Sequence, residues 1–189
     1  MVHVRMAASD AAADTALVAD IASLVNRVYA VAEDGLWSAG TPRTTPEKIA
    51  QLVHAGQIAV AVADERIVGV IQVRRLDTGE GEFGMLVADP AHRRQGVGRE
   101  LIGFAERWSQ AQGLDTMQLE LLVPRRWRHP TKEFLKAWYT RIGYRPVRSG
   151  LIEESYPELA PHLATPCDFV IYHKRLPTVE RAIGSHEKN

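Results

Sequence analysis

Apolar residues recur along this chain with two periods, and each change of period marks a new element. Over 14–32, Leu17, Ile21, Leu24, Val25 and Val28 share one helical face. A second helix follows at Thr44-Thr45-Pro46-Glu47. Threonine with glutamate three residues later is a capping box, and proline is tolerated in a first turn. Ile49, Leu52 and Val53 supply its apolar side. The period then falls to two. Residues 57–63 and 66–74, rich in Val and Ile, predict two strands joined as a hairpin through Asp64-Glu65. Gly79-Glu80-Gly81 turns the second into a strand over 82–87, where Phe83, Met85 and Val87 alternate with Glu82, Gly84 and Leu86. Asp89-Pro90 stops that strand. Val97, Leu101, Phe104, Ala105 and Trp108 predict a long amphipathic helix ended by Gly113. Next comes a strand alternating Met117, Leu119, Leu121 and Val123 against Gln118, Glu120 and Leu122. Over 132–142 a helix capped by Thr131 presents Phe134, Leu135, Trp138 and Ile142 as its core stripe, with Gly143 ending it. Residues 145–152 and 168–176 read as closing strands around a proline-rich excursion at 157–166, and 1–6 as a short leading strand.

This order predicts an α/β fold on a largely antiparallel sheet, with one right-handed parallel crossover from strand 82–87 to strand 117–123. Residues 1–176 are expected to form one domain, and 177–189 a polar, frayed tail.

Composition narrows the chemistry. The 189 residues are 46% hydrophobic, enough for a full core. Lys plus Arg and Asp plus Glu are balanced at 23 each, which gives no reason to expect a nucleic acid or an anionic membrane as partner. A single cysteine, Cys167, excludes an intrachain disulfide and fits a reducing cytoplasm. The seven histidines lack ligand spacing, so no metal is expected. The first residues do not form a signal-peptide core, and no apolar run of the length needed to span a bilayer is expected; even the alanine-rich stretch carries Asp10, Asp14 and Asp20. A cytoplasmic location is the expectation.

Between the central strand and its helix lies Arg93-Arg94-Gln95-Gly96-Val97-Gly98. The first amides of a helix lack intrahelical acceptors and carry partial positive charge, and glycines let phosphate oxygens approach the backbone. Arg93, Arg94 and Arg99 add fixed charge, so the turn reads as an anion cradle. Its pattern, Arg93-x-x-Gly96-x-Gly98 after a strand ending in Leu86-Val87 and Pro90, resembles the acetyl-CoA signature of the GNAT superfamily of N-acetyltransferases. Further on, Trp138-Tyr139-Thr140-Arg141-Ile142-Gly143-Tyr144 resembles that family's second hallmark. The resemblance covers roughly 58–176.

It implies a twisted, largely antiparallel sheet flanked by helices, whose central parallel strands splay so that the pantetheine arm of acetyl-CoA inserts between them. Backbone groups of Leu86 and Val87 would meet that arm, and the amides of Gly96 and Gly98 would hold the pyrophosphate, with Arg93, Arg94 and Arg99 assisting and Gln95 and Val97 completing the cofactor turn. A dinucleotide-binding oxidoreductase fits poorly, because Leu101 stands where a third glycine is needed. A CoA-binding module without turnover is a second alternative.

Acyl transfer from a thioester to an amine needs a base and an acid. Glu120 is the base candidate, with Glu82 as the alternative or as a partner; Leu119-Glu120-Leu121 resembles a glutamate-bearing strand of relatives that acetylate protein N-termini. Tyr139 is the acid by the same resemblance. Lys132 and Leu135 depart from the Asn and Ala common in the family, and 124–130 looks like an extra segment. The loop between the first two helices commonly walls the acceptor site in this family, and here it offers Glu33, Asp34, Trp37 and Arg43. A small amine is favoured over a protein or peptide acceptor, and a homodimer stays open.

Overall fold

The computed structural model describes residues 1–177. The tail expected over 177–189 lies, after its first residue, outside the described residues. Seven strands form one sheet in the order β1 (His3–Met6), β2 (Ile58–Ala63), β3 (Arg66–Arg75), β4 (Gly81–Ala88), β5 (Thr116–Pro124), β7 (Cys167–Arg175) and β6 (Arg145–Gly150). Every neighbouring pair is antiparallel except β4 and β5. The β2–β3 hairpin turns through Asp64 and Glu65, both at positive φ, which matches the strand twist.

Helices α1 (Thr15–Ala32) and α2 (Pro46–His54) cover one face of the sheet, where Ile21, Val25, Ile49, Val53, Val70 and Val87 form a core. On the other face α3 (Val97–Ala111) and α4 (Pro130–Arg141) enclose Ile71, Phe83, Leu101, Met117, Leu119 and Tyr144. Asp14 caps α1, accepting from the amides of Ala16 and Leu17 at 3.0 Å each. By length and mean hydropathy (1.3) Thr15–Ala32 does meet the requirements of a bilayer span. It carries Asp20 and Arg27, however, and packs Val18, Ile21, Ala22, Leu24 and Val25 into the core.

Four local expectations need correction. The cap of α2 is Thr45, whose hydroxyl accepts from Lys48 N at 3.2 Å, and not Thr44 with Glu47. Thr44 is instead buried, its backbone held by Asn26. The N-cap of α4 is His129 without a side-chain bond, because Pro130 already occupies the first turn and Thr131 lies inside it. The buried face of α4 is also rotated: Phe134 is 60% exposed, while Lys132 and Tyr139 are buried. A charged residue hid that face in the hydrophobic pattern.

The fourth correction positions the site. Strict alternation would put Phe83 and Val87 on one face of β4, yet Phe83 joins the α3/α4 core and Val87 the α1/α2 core. Val70 pairs with Val87 and Gln72 with Gly84, so two residues of β4 oppose one of β3. Met85 sits in this bulge at φ 48°, and the extra residue exchanges the two faces.

Candidate active site

Parallel pairing of β4 with β5 covers only Gly81 with Met117 and Glu82 with Gln118. Beyond that point the strands part, and the bulge at Met85 bends β4 away. Gly81 enables the close end of the fork, since a Cβ there would lie 2.3 Å from Ser109 Oγ. The opening is a cavity of about 690 Å³ lined by Phe83 to Leu86 of β4, Leu119 to Leu122 of β5, Leu135 and Tyr139 of α4, and residues of the α1–α2 region. Parted strands leave backbone amides and carbonyls without sheet partners, and a ligand that offers amides of its own can pair with them.

Both candidate carboxylates face this space, in different states. Glu82 is only 5% exposed and fully engaged. Arg74, its register partner on β3, reaches Oε1 at 2.6 Å, and Gln118 Nε2 donates to Oε2 at 2.8 Å. Gln118 is itself held by His173 at 2.9 Å. Glu120 is half-buried and receives one side-chain bond, from Tyr156 Oη to Oε2 at 2.8 Å. Burial, reinforced by the neighbouring Glu82 charge, lifts its pKa to about 7 against the opposing pull of Tyr156, Arg74 and Arg148. A carboxyl titrating there exchanges protons at neutral pH.

Tyr139 lies across the cavity, packed edge-on to Phe83 and Tyr144 and stacked on Trp138. Burial raises its pKa well above the ordinary 10.0, with a smaller contribution from Tyr29. The hydroxyl therefore stays protonated, the state a proton donor needs.

The α3 turn keeps the features of an anion cradle. Arg94 and Gly96 both have positive φ, 67° and 76°, which curls the backbone, and the amides of Arg93 and Gln95 are taken inside the turn by Pro90 O and His92 O at 3.3 Å each. The first bond inside the helix is Glu100 N to Gly96 O at 3.0 Å, leaving the amides of Val97, Gly98 and Arg99 without helical acceptors. A Cβ on Gly96 would meet open space, whereas one on Gly98 would lie 3.1 Å from the Trp138 ring. Arg93, Arg94, Gln95 and Arg99 are exposed around this turn. Of the backbone pair expected to face the pantetheine, Leu86 lines the cavity and Val87 is buried beneath it.

The α1–α2 loop forms the opposite wall. Glu33 is buried with Lys132 of α4 at 2.5 Å and accepts from Trp37 Nε1 at 2.6 Å. Burial alone would raise its pKa, but Lys132 and Arg43 outweigh that and hold it below the usual carboxylate value. Arg43 stacks over Tyr29 at 4.9 Å and Trp37 at 5.7 Å. Segment 124–130 props the loop: a Cβ on Gly35 would lie 3.5 Å from the Trp127 ring, and His129 Nε2 is 3.2 Å from Asp34 O. Glu33, Trp37 and Arg43 thus share the cavity with Glu120 and Tyr139.

Sequence reasoning missed Tyr156, Arg74 and the pairing of Lys132. Arg74 was within reach, since hairpin register places it opposite Glu82. Tyr156 comes from a segment without periodicity and gave no signal.

Residues 54–146 match the acetyltransferase (GNAT) domain family. No curated protein sequence matches the chain. Among solved structures, the ribosomal-protein-S18-alanine N-acetyltransferase of Escherichia coli is similar at 14% identity and TM-score 0.64, covering 97% of this chain and 99% of that one. N-acetylglutamate synthase of Neisseria gonorrhoeae, complexed with coenzyme A and N-acetyl-glutamate, is similar at 16% identity and TM-score 0.62, over 94% of this chain and 35% of that one. A candidate streptothricin acetyltransferase of Bacillus anthracis, complexed with acetyl coenzyme A, is 17% identical with TM-score 0.51; the match covers 64% of this chain and 62% of its own. The forked parallel pair, the glycine turn and this family match agree, and the chain belongs to the GNAT superfamily of acetyltransferases.

Proposed function

We propose that the protein transfers the acetyl group of acetyl-CoA to the amine of a small molecule by direct attack. The observation that carries this reading is the fork itself: β4 and β5 pair over two registers and then enclose Glu120 and Tyr139 in one cavity. Acetyl-CoA and coenzyme A are bound by two of the similar structures, which supports the same cosubstrate here. The curled turn suits its pyrophosphate, and the free edge of β4 at Met85 and Leu86 suits its amide-bearing arm.

The residues divide the work. Glu120 takes a proton from the acceptor ammonium, directly or through one water, giving a neutral amine. The amine nitrogen bonds to the acetyl carbonyl carbon, the carbon–sulfur bond breaks, and Tyr139 donates its proton to the departing sulfur. The second nitrogen proton and the one taken up by Glu120 leave to solvent, and Tyr139 is reprotonated from it. Glu82, locked between Arg74 and Gln118, is the neighbouring carboxylate that adds to the basicity of Glu120.

Purified protein is incubated with acetyl-CoA and a panel of amino acids, polyamines, aminoglycosides and N-terminal peptides, reading thiol release and product mass. Acceptor-dependent release with an N-acetyl product is expected. Acetyl-CoA binding without release for any acceptor would leave a binding module, and turnover confined to peptides would replace the small-amine acceptor.

A further inference from the structure

Arg43, Lys48, Arg74 and Lys132 line the cavity; Arg43 and Lys48 are exposed, and the other two are neutralised in place. Arg74 is paired with Glu82 and Lys132 with Glu33. Arg43 is different: among the described residues it forms no ion pair, and Glu33, whose charge it feels, has its oxygens taken by Lys132 and Trp37. Arg43 is also held firmly. Asn26 Oδ1 accepts from Arg43 N at 2.8 Å and Thr44 N at 3.0 Å, while its Nδ2 donates to Thr44 O at 2.9 Å. The guanidinium then lies over the Tyr29 and Trp37 rings. An arginine whose backbone is clamped and whose plane is stacked pays little further entropy on binding an anion, and its donors suit a carboxylate.

Its place relative to the base sets the size of the ligand. Arg43, Tyr156 and Glu120 line the same cavity, and the Tyr156 hydroxyl is 2.8 Å from Glu120 Oε2. One small molecule therefore reaches both Arg43 and Glu120. Beside them Ile152, Leu159 and Phe169 make an apolar wall.

We propose that the acceptor is a free amino acid with an apolar side chain, its carboxylate held by Arg43 and its amine delivered to Glu120. This rests on the acetyl-transfer reading above. Polyamines and aminoglycosides bring only positive charge toward Arg43 and are disfavoured by it.

The test compares the twenty amino acids with their carboxamides as acceptors, alongside spermidine and an aminoglycoside, for wild type, R43Q and R43K. Wild type should favour an apolar amino acid over its amide at least tenfold in kcat/KM. R43Q should bring that ratio toward unity by raising KM for the acid, and R43K should restore part of it. Acetyl-CoA binding, read by thermal shift, checks that each variant is folded. Equal use of acid and amide by wild type, or activity only on polyamines, aminoglycosides or peptides, overturns the inference while acetyl transfer stands. Preference for the acid that survives in folded R43Q removes Arg43 from the role and overturns it equally. Absence of thiol release with every amine overturns acetyl transfer itself, and the inference with it.

Discussion

Tyr156 Oη donates to Glu120 Oε2 at 2.8 Å, joining the segment between β6 and β7 to the centre of the sheet. Arg74 Nη2 lies 3.3 Å from the same hydroxyl, so Tyr156 also bridges the Glu82 ion pair to Glu120. A donor on a carboxylate favours the ionised form. Tyr156→Phe should therefore raise the Glu120 pKa further, moving the ascending limb of kcat/KM upward by on the order of one pH unit. At pH 9 the variant should approach wild type. An unmoved limb with uniformly lower activity would show that Tyr156 only packs.

Glu120 governs that limb directly. Wild-type kcat/KM should rise through about pH 7. Glu120→Gln should lose the limb and about a hundredfold or more in rate, the scale of general-base catalysis. The same shift predicts stability. Its pKa is 4.5 when unperturbed and about 7 in the fold, so folding favours the protonated form. That contribution is complete below 4.5 and lost as pH rises through 7. Glu120→Gln should thus gain on wild type between pH 5 and 8 by about 1–2 kcal/mol, solvent access reducing the larger value the shift alone implies. Urea melts at the two pH values measure it.

Tyr139→Phe removes a hydroxyl whose pKa reflects burial and the nearby Tyr29, with no hydrogen bond contributing. Stability should change by less than about 0.5 kcal/mol, because no intramolecular bond is lost. The rate should fall about tenfold or more once chemistry limits turnover. Near-normal single-turnover rates would assign sulfur protonation to water.

The hydrophobic pattern revealed the sheet, the helices and the glycine turn because burial on one face writes a period into the sequence. It failed where geometry depends on a single backbone angle. Nothing in Phe83-Gly84-Met85-Leu86 announces that Met85 takes positive φ, yet that bulge exchanges the faces of β4 and opens the fork. The choice between Glu120 and Glu82 was equally hidden: both are acidic strand residues, and only their partners separate them. Arg74 opposite Glu82 could be read from hairpin register, but Tyr156 comes from irregular chain. Lys132 misled in the opposite direction. Its charge suggested solvent, and the buried carboxylate that neutralises it is far away in sequence.

That pair supports the last prediction. Glu33 and Lys132 have side chains only 7% and 5% exposed, and they tie the α1–α2 loop to α4. Removing one partner leaves a charge buried alone, which costs about 3–5 kcal/mol, whereas replacing both by apolar groups of similar size is often close to neutral. Lys132→Met should be strongly destabilising, and Glu33→Leu/Lys132→Met should recover most of the loss in urea melts. Trp37 would still lose its acceptor on Glu33, so recovery should stop about 1 kcal/mol short. The pH dependence separates this pair from Glu120. The Glu33 pKa is lowered in the fold, so its contribution is present above the ordinary carboxylate value of 4.5 and lost as pH falls through the folded one. Wild type and the double variant should therefore converge as pH falls below 4.5 and differ little in slope between pH 6 and 8. A double variant as unstable as Lys132→Met would mean that the contact is held by packing around the stems and not by charge.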